Sequence, residues 1–275
     1  MSGKRAVFFW AALLGMIISG LNGTAFAGGE RAAIFRDGQR LVEAYPEAGF
    51  SLKEADDGLY VAGEAGSFLF SPWEGCPKAL PDDPADAPLC AMLAQPYPVG
   101  DGGRYPAPGV DPGRVRNEAF LKALYGKDAV DVEKGLESVA FLGEVWKFSA
   151  RHGAAEALRR VAATLETAAA HDPKLKAYIL PGGGTYFWRK IKDSPRLSAH
   201  SFGICIDLNI EKGLYWLWHP SAGTVAKTRR DYPQAIVDAF EAEGFIWGGK
   251  WHSFDFMHFE YRPELVGRGG KAASR

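Results

Sequence analysis

The chain has 275 residues, of which 47% are apolar, and its 32 basic and 33 acidic side chains leave a formal net charge of −1. This apolar share is enough for a hydrophobic core, and the length suits one large domain. A net charge so close to zero gives no field that would attract nucleic acid or an anionic membrane, so composition excludes partners recognised by bulk charge.

The N-terminus has the pattern of a secretory signal peptide. Basic residues at positions 4 and 5 precede an apolar run, and the small-residue triplet Ala-Phe-Ala follows at 25–27. We predict a signal peptide over residues 1–27, cleavage before Gly28, and an exported protein that acts in the periplasm or outside the cell. The alternative is a retained anchor, but the run is short for a span of roughly 20 residues. No later segment is apolar for long enough to predict stable membrane insertion after cleavage.

Residues 28–110 predict an irregular N-terminal extension of unknown role. Short strand-like runs are broken there by clusters of Pro and Gly. Cys76 and Cys90 bracket a loop rich in Pro and Asp, and a disulfide between them would suit an oxidising compartment. The third cysteine, Cys205, lies between two isoleucines, which favours a small buried side chain over a reactive thiol or a metal ligand.

Residues 111–275 predict an α+β domain. Apolar residues recur at helical spacing from residue 118 to Pro173, which predicts two or three helices, one of them across VEKGLESVAFLGEVWKFSARHG. Short β-rich runs follow (AYIL, TYFWRKI, FGICIDLNI and FDFMHFEY), interrupted by one helix between Pro233 and Gly244. Helices first and strands later are typical of an α+β fold.

Side-chain alternation in the last strands brings polar residues to one surface. In ICIDLNI, Asp207 points away from the isoleucine face, and in FMHFEY, His258 points away from its apolar neighbours. If both strands belong to one sheet, Asp207 and His258 emerge together. His200 lies seven residues before Asp207, so it can join them only if the chain bends, and Gly203 permits a bend.

Two histidines and one aspartate form a normal donor set for a single catalytic zinc ion. Zinc accepts nitrogen and oxygen ligands, and catalysis needs its fourth position open. A structural zinc site would usually be closed by cysteines, and the sequence has no C-x-x-C pair. The alternative is that His200 and His258 are separate hydrogen-bonded side chains and Asp207 is a turn or capping carboxylate, since H-x6-D with a distant histidine is a weak pattern alone.

Two motifs, in order, resemble the zinc D-Ala-D-Ala carboxypeptidases. Residues 198–207 (SAHSFGICID) resemble the family's SxHxxGxAxD motif, with Cys205 where alanine is usual, and residues 248–260 (GGKWHSFDFMHFE) resemble its GGxW…DxxHFE motif. The family contains VanY-like D,D-peptidases and L-alanyl-D-glutamate peptidases, and it shares a fold with the hedgehog signalling domain. The resemblance implies a small antiparallel sheet that carries a zinc site and packs against helices.

The same resemblance assigns roles to individual residues. The implied ligands of one Zn²⁺ are His200, Asp207 and His258. Asp255 matches the family's general base, which moves a proton from the attacking water to the leaving amine, although a turn carboxylate is the alternative. Arg189 matches an arginine that faces the scissile carbonyl or the substrate carboxylate. Ser198 and Trp251 are candidate substrate-binding residues, and core packing would explain Trp251 equally well.

The implied function is zinc-dependent hydrolysis of peptide bonds in peptidoglycan stem peptides, by a carboxypeptidase or an endopeptidase. The competing interpretation is a noncatalytic zinc-containing module that binds the cell wall. Glu260 and Asn209 share strand faces with His258 and Asp207, so each could fix the orientation of a ligand through a hydrogen bond. His252 is open between proton transfer and an ordinary exposed or hydrogen-bonded histidine.

Overall fold

The N-terminal part begins with a long helix. The computed structural model describes residues 15–78 and 84–266, and helix α1 spans Gly15–Ala44. The prediction of strands and loops from residue 28 is therefore wrong up to the end of this helix. The predicted cleavage point before Gly28 falls inside α1, and residues 1–14 of the predicted signal lie outside the described residues. Across the described part of the chain, no helix combines the length and apolar character that a membrane crossing requires.

A three-stranded antiparallel sheet follows α1. Its strands, in spatial order, are β1 (Ser51–Ala55), β2 (Gly58–Gly63) and β3 (Gly66–Pro72). Leu41 of the helix is buried in one cluster with Leu59 and Phe70 of the sheet, and α1 contacts both β1 and β2. The predicted irregular extension thus contains regular structure with its own apolar contacts.

The segment after this sheet contacts the C-terminal part of the chain through buried hydrogen bonds. Cys76 and Cys90 form a disulfide with their Cα atoms 5.8 Å apart, and Cys90 begins the short helix α2 (Cys90–Leu93). Further on, the Tyr97 hydroxyl donates to the Glu241 carboxylate at 2.6 Å. The buried Lys250 ammonium donates to the same carboxylate. The predicted domain boundary at residue 110 stays a prediction, and these contacts cross it.

Two short helices lead into a β-hairpin. They are α3 (Glu118–Tyr125) and α4 (Ala129–Lys134), followed by the antiparallel strands β4 (Leu136–Phe141) and β5 (Glu144–Ser149). The prediction of a helix across the hairpin is wrong. Val139 and Phe141 alternate with exposed residues and are buried, and Leu142 and Gly143 reverse the chain with φ of 47° and 92°.

The longest described helix of the C-terminal half was predicted correctly. Helix α5 spans Ala154–His171 and buries Leu158, Val161 and Leu165 along one face. The strand predicted for AYIL is wrong, because these residues lie in and just after the short helix α6 (Lys176–Ile179). The strand predicted for TYFWRKI is also wrong, since the described part of this run makes only an isolated bridge at Lys190.

A second three-stranded antiparallel sheet lies in the C-terminal part, in the order β6-β8-β7. Its strands and neighbouring helices are β6 (Cys205–Asp207), α7 (Ala222–Asp231), α8 (Gln234–Glu241), β7 (Phe245–Trp247), β8 (His258–Tyr261) and α9 (Pro263–Val266). Phe240 of α8 stacks on Phe259 of β8 with ring centroids 4.0 Å apart, so the apolar face of the sheet is covered by a helix. Helices packed against small antiparallel sheets confirm the α+β class.

Candidate metal centre

The pairing of β6 with β8 places Asp207 directly opposite His258. The register pairs Asp207 with His258 and Ile206 with Phe259. Ile206 and Phe259 are fully buried in the core, so their neighbours project from the other face of the sheet. The strand alternation predicted from the sequence is confirmed at both positions.

His200 reaches the same point from a tight turn. The turn spans Ala199–Phe202, and the Ser198 side chain caps it by accepting the His200 backbone N–H. Gly203 ends the turn with φ of 65°, a left-handed conformation that favours glycine. A Cβ at this position would lie 2.5 Å from a Leu136 methyl group. The bend predicted at Gly203 is confirmed.

Three donor atoms converge at the end of β6 and β8. His200 Nε2 lies 3.3 Å from His258 Nδ1 and 3.3 Å from Asp207 Oδ2, while His258 Nδ1 lies 2.9 Å from Asp207 Oδ1. Ligand bonds of about 2.1 Å in a tetrahedral zinc site imply donor separations of roughly 3.4 Å. The donor set and its spacing therefore fit a zinc ion.

The far ring nitrogens are held by acceptors that fix each imidazole. His200 Nδ1 is hydrogen-bonded to the Thr185 carbonyl, so this nitrogen carries the proton and Nε2 presents its lone pair. His258 Nε2 lies 3.5 Å from the Glu260 carboxylate, which leaves Nδ1 free toward Asp207. Both rings thus turn a basic nitrogen to the shared point.

Glu260 belongs to a group of paired charges behind His258. We call Arg116, Glu260, Arg262 and Glu264 the rear cluster. Arg116 Nε donates to Glu260 at 2.8 Å, and Arg262 donates to both Glu260 and Glu264. Burial by itself would raise the pKa of Glu260, but the guanidinium groups of Arg116 and Arg262 outweigh it and hold that pKa well below its usual range. Glu260 is thus kept ionised as an acceptor for His258.

Asp255 lies in front of the site and keeps an unpaired oxygen. Its backbone N–H donates to the Gly248 carbonyl at 3.0 Å, and a Cβ on Gly248 would lie 2.5 Å from the Asp255 carbonyl oxygen, so this approach requires glycine. Asp255 Oδ1 is buried and has no hydrogen-bond partner among the described residues. Burial raises the pKa of this carboxyl to about 6. A carboxylate in this state is suited to exchange protons near neutral pH.

A cleft of about 330 Å³ opens over the three donor atoms. The other predicted site residues that line it, besides the three donors, are Arg189, Ser198, Trp251 and Asp255. Arg189 is exposed at the mouth, where its backbone N–H donates to the Ser201 hydroxyl at 3.0 Å. The Trp251 ring is buried, lies 5.6 Å from the His258 ring and donates to the Pro112 carbonyl.

Two polar residues near the motifs, Asn209 and His252, make their described contacts outside the set of three donor atoms. Asn209 donates to the carbonyls of Ala177 and Leu180, so its side chain supports the α6 segment and the prediction that it orients Asp207 is wrong. His252 is exposed, and its backbone N–H donates to the Val110 carbonyl. His252 does not line the cleft.

Three further residues of the cleft are Arg114, Arg116 and Tyr215, and the sequence indicated no role for the two arginines. Tyr215 forms a β-bridge with Asp255. Arg114 and Arg116 alternate within the run DPGRVRN, just before the capping residue Asn117. This alternation indicates one arginine on each side of an extended segment, although the groups that each arginine meets lie about 140 positions later.

Cys205 is the nearest competing ligand. Ligand atoms of His200, Cys205 and His258 all lie within 4.8 Å of one another, so these side chains form a cluster able to hold a metal. Cys205 is free and buried, and burial raises the pKa of its thiol to about 11, whereas metals bind the thiolate. Asp207 makes closer contacts with both histidines, which favours the carboxylate as third ligand.

The comparison with protein families agrees with the motifs. Residues 192–261 match the family model described as D-alanyl-D-alanine carboxypeptidase. The matched segment contains His200, Asp207, Asp255 and His258, while Arg189 precedes it. The resemblance found in the sequence is confirmed over this segment, which supports a metallopeptidase at the level of the family. No solved structure matches the chain.

Proposed function

We propose that the protein is an exported zinc peptidase that hydrolyses peptide bonds in peptidoglycan stem peptides. The observation that carries the proposal is the meeting of His200 Nε2, Asp207 and His258 Nδ1 at 2.9–3.3 Å beneath a cleft that also holds the unpaired oxygen of Asp255. A zinc ion held by these ligands would act as a Lewis acid toward the scissile carbonyl and lower the pKa of the attacking water. The disulfide between Cys76 and Cys90 supports an oxidising compartment.

Asp255 is the proposed general base and acid. One oxygen of its carboxylate is buried and has no hydrogen-bond partner in the described part of the chain, so that oxygen can accept a proton from the attacking water without breaking an existing hydrogen bond. The same carboxyl then donates this proton to the amine that leaves. A pKa raised to about 6 favours both steps, because the group is ionised at neutral pH yet readily protonated.

Arg189 is the proposed partner of the carbonyl oxygen as that oxygen gains negative charge. Its side chain lines the cleft, and its backbone is fixed to the turn that carries His200 through the Ser201 hydroxyl. A guanidinium stays charged at every working pH and offers donors in a rigid plane. It therefore stabilises the tetrahedral stage more than the planar substrate.

The second candidate is a noncatalytic zinc-containing module that binds cell wall. It would need the three ligands and a cleft but no general base. The Asp255 oxygen that is buried without a partner among the described residues favours catalysis, because an unsatisfied buried acceptor lowers stability and its retention is explained if the group takes part in the reaction.

The test combines metal content with product analysis. The zinc-loaded protein is incubated with purified peptidoglycan, and released amino acids and peptides are identified by mass. We expect cleavage by the wild type and a loss of about 10²- to 10⁴-fold in Asp255→Asn with zinc still bound. The matched control, Asp238→Asn, removes an exposed carboxylate from α8 and keeps full activity. Full activity in Asp255→Asn would contradict the assigned role, and binding without cleavage by the wild type would favour the noncatalytic module.

A further inference from the structure

Arg114 is a cation of the cleft that forms no ion pair with any of the described residues. Its guanidinium is half-buried, donates to the Ser253 carbonyl and lies over the Trp251 ring at 5.1 Å. Within the described residues, no carboxylate lies within the 4.0 Å of an ion pair with Arg114, whereas Arg116, two positions later, forms an ion pair with Glu260. A carbonyl and an aromatic ring thus hold Arg114 in place, while the carboxylates of Asp111 and Asp255 act on its charge from beyond ion-pair distance.

A half-buried cation without an ion-pair partner loses hydration that no anion replaces, so its retention needs a reason. The carbonyl of Ser253 occupies one of the five guanidinium N–H donors, and the Trp251 ring orients the guanidinium plane. The guanidinium lines the cleft that contains Asp255. This arrangement is suited to receive an anion from a ligand that enters the cleft, because planar guanidinium groups match carboxylates in a bidentate geometry.

The position of Arg114 indicates which part of a substrate it meets. Arg114 and Asp255 line the same cleft, and the Ser253 carbonyl that accepts from Arg114 lies only two residues before Asp255 in the chain. Under the proposed function, Asp255 delivers its proton to the leaving amine. In an amino acid, the carboxylate carbon lies only about 2.5 Å from the amine nitrogen. A cation beside Asp255 therefore lies where the α-carboxylate of the leaving residue would be.

We propose that Arg114 binds a free α-carboxylate on the substrate residue whose amine leaves. The inference rests on the proposed function and adds to it a preference for substrates that carry a free α-carboxylate next to the cleaved bond. Two kinds of stem-peptide bond offer this group: a bond before a C-terminal D-alanine, and a bond before a D-glutamate that is linked onward through its γ-carboxyl. Arg189 is then left to stabilise the carbonyl oxygen, so the two arginines have different roles.

The experiment compares peptides that differ only in this carboxylate. One pair ends in D-alanine or D-alaninamide, and the second contains γ-linked D-glutamate or the corresponding α-amide. For the pair that is cleaved, we expect the wild type to prefer the acid over the amide in kcat/KM by about tenfold to hundredfold, as a charge-assisted hydrogen bond implies. The pair that is cleaved shows whether D-alanine or D-glutamate supplies the carboxylate.

Arg114→Gln is expected to remove the preference for the acid, because kcat/KM falls for the acid peptide and stays nearly unchanged for the amide peptide. Arg114→Lys is expected to keep part of the preference. Zinc content reports that each variant folds. Arg189→Gln should instead lower kcat/KM for the acid and the amide peptides alike. The control Lys192→Gln removes a more exposed cation from the same cleft. It should change the acid-to-amide ratio of kcat/KM by less than about twofold.

Equal loss of acid and amide cleavage in Arg114→Gln would show a structural role and overturn the proposal, as would equal cleavage of both peptides by the wild type. Failure of the zinc-loaded wild type to cleave any of the four peptides or intact peptidoglycan would reject the proposed function, and the carboxylate site with it.

Discussion

The charged side chains behind His258 are paired with one another, whereas two charged side chains in the cleft in front of it have no ion-pair partner among the described residues. In the rear cluster, Glu260 and Arg262 have no exposed side-chain surface, and each has an opposite charge within hydrogen-bonding distance. In the cleft, Asp255 keeps a buried oxygen without a partner, and Arg114 has no ion-pair partner among the described residues. Paired charges fix a geometry, whereas charges held rigid and unpaired are available to a substrate.

Hydrogen bonds through the rear cluster also connect the N-terminal part of the chain to the candidate metal centre. The Tyr45 hydroxyl, just after α1, donates to Glu264 at 2.6 Å, and Glu264 accepts from Arg262, which in turn donates to Glu260. A continuous set of hydrogen bonds thus runs from residue 45 to Glu260, whose carboxylate lies 3.5 Å from His258 Nε2. The N-terminal part contributes to the support of a predicted zinc ligand through these contacts.

The largest expected effect comes from breaking the rear cluster. Arg262→Ala leaves Glu260 and Glu264 without their shared cation in a fully buried position, which should lower the free energy of unfolding by about 3–5 kcal/mol. The matched control is Arg160→Ala, which breaks ion pairs of a half-exposed arginine with Glu156 and Glu243 and should cost less than about 1 kcal/mol. Urea unfolding measures both. Similar costs would mean that the rear cluster does not carry the stability assigned to it.

The next effect concerns the metal. His258→Ala should lower zinc affinity by more than about 100-fold, because removal of a residue that merely orients a ligand already costs 10- to 100-fold. His252→Ala, which changes an exposed histidine six residues earlier, should leave affinity nearly unchanged. Competition with a chromogenic chelator measures the two affinities. An equal loss in both variants would show that the ligands are assigned wrongly.

The smallest effect is a pH dependence at the front of the site. Burial raises the pKa of Asp255 to about 6, and a general base works only in its ionised form. The base is therefore lost as pH falls through this pKa, and a nearby zinc ion would move the pKa down, not up. We expect kcat/KM to fall about tenfold per pH unit below an acid limb at or under about pH 6. An acid limb above pH 7 would point to a different base.

The sequence predicted the positions of the candidate zinc ligands better than their surroundings. Asp207 and His258 were placed correctly because alternation along two short strands is a local property, and the bend at Gly203 followed from that same parity. The β4–β5 hairpin was missed because its apolar residues also fit helical spacing, and its turn at Leu142–Gly143 lacks a strong hairpin signal. The role proposed for Arg114 rests on its contacts with Trp251 and Ser253, which approach it only in the folded chain.

The central claim is that His200, Asp207 and His258 hold one zinc ion in front of the rear cluster. Crystals of the zinc-loaded protein, measured at the zinc absorption edge, test it most directly. We predict one anomalous peak about 2.0–2.2 Å from His200 Nε2, His258 Nδ1 and an oxygen of Asp207. The absence of a peak at this point, or a peak bonded at about 2.3 Å to the sulfur of Cys205 in place of Asp207, would contradict the assignment.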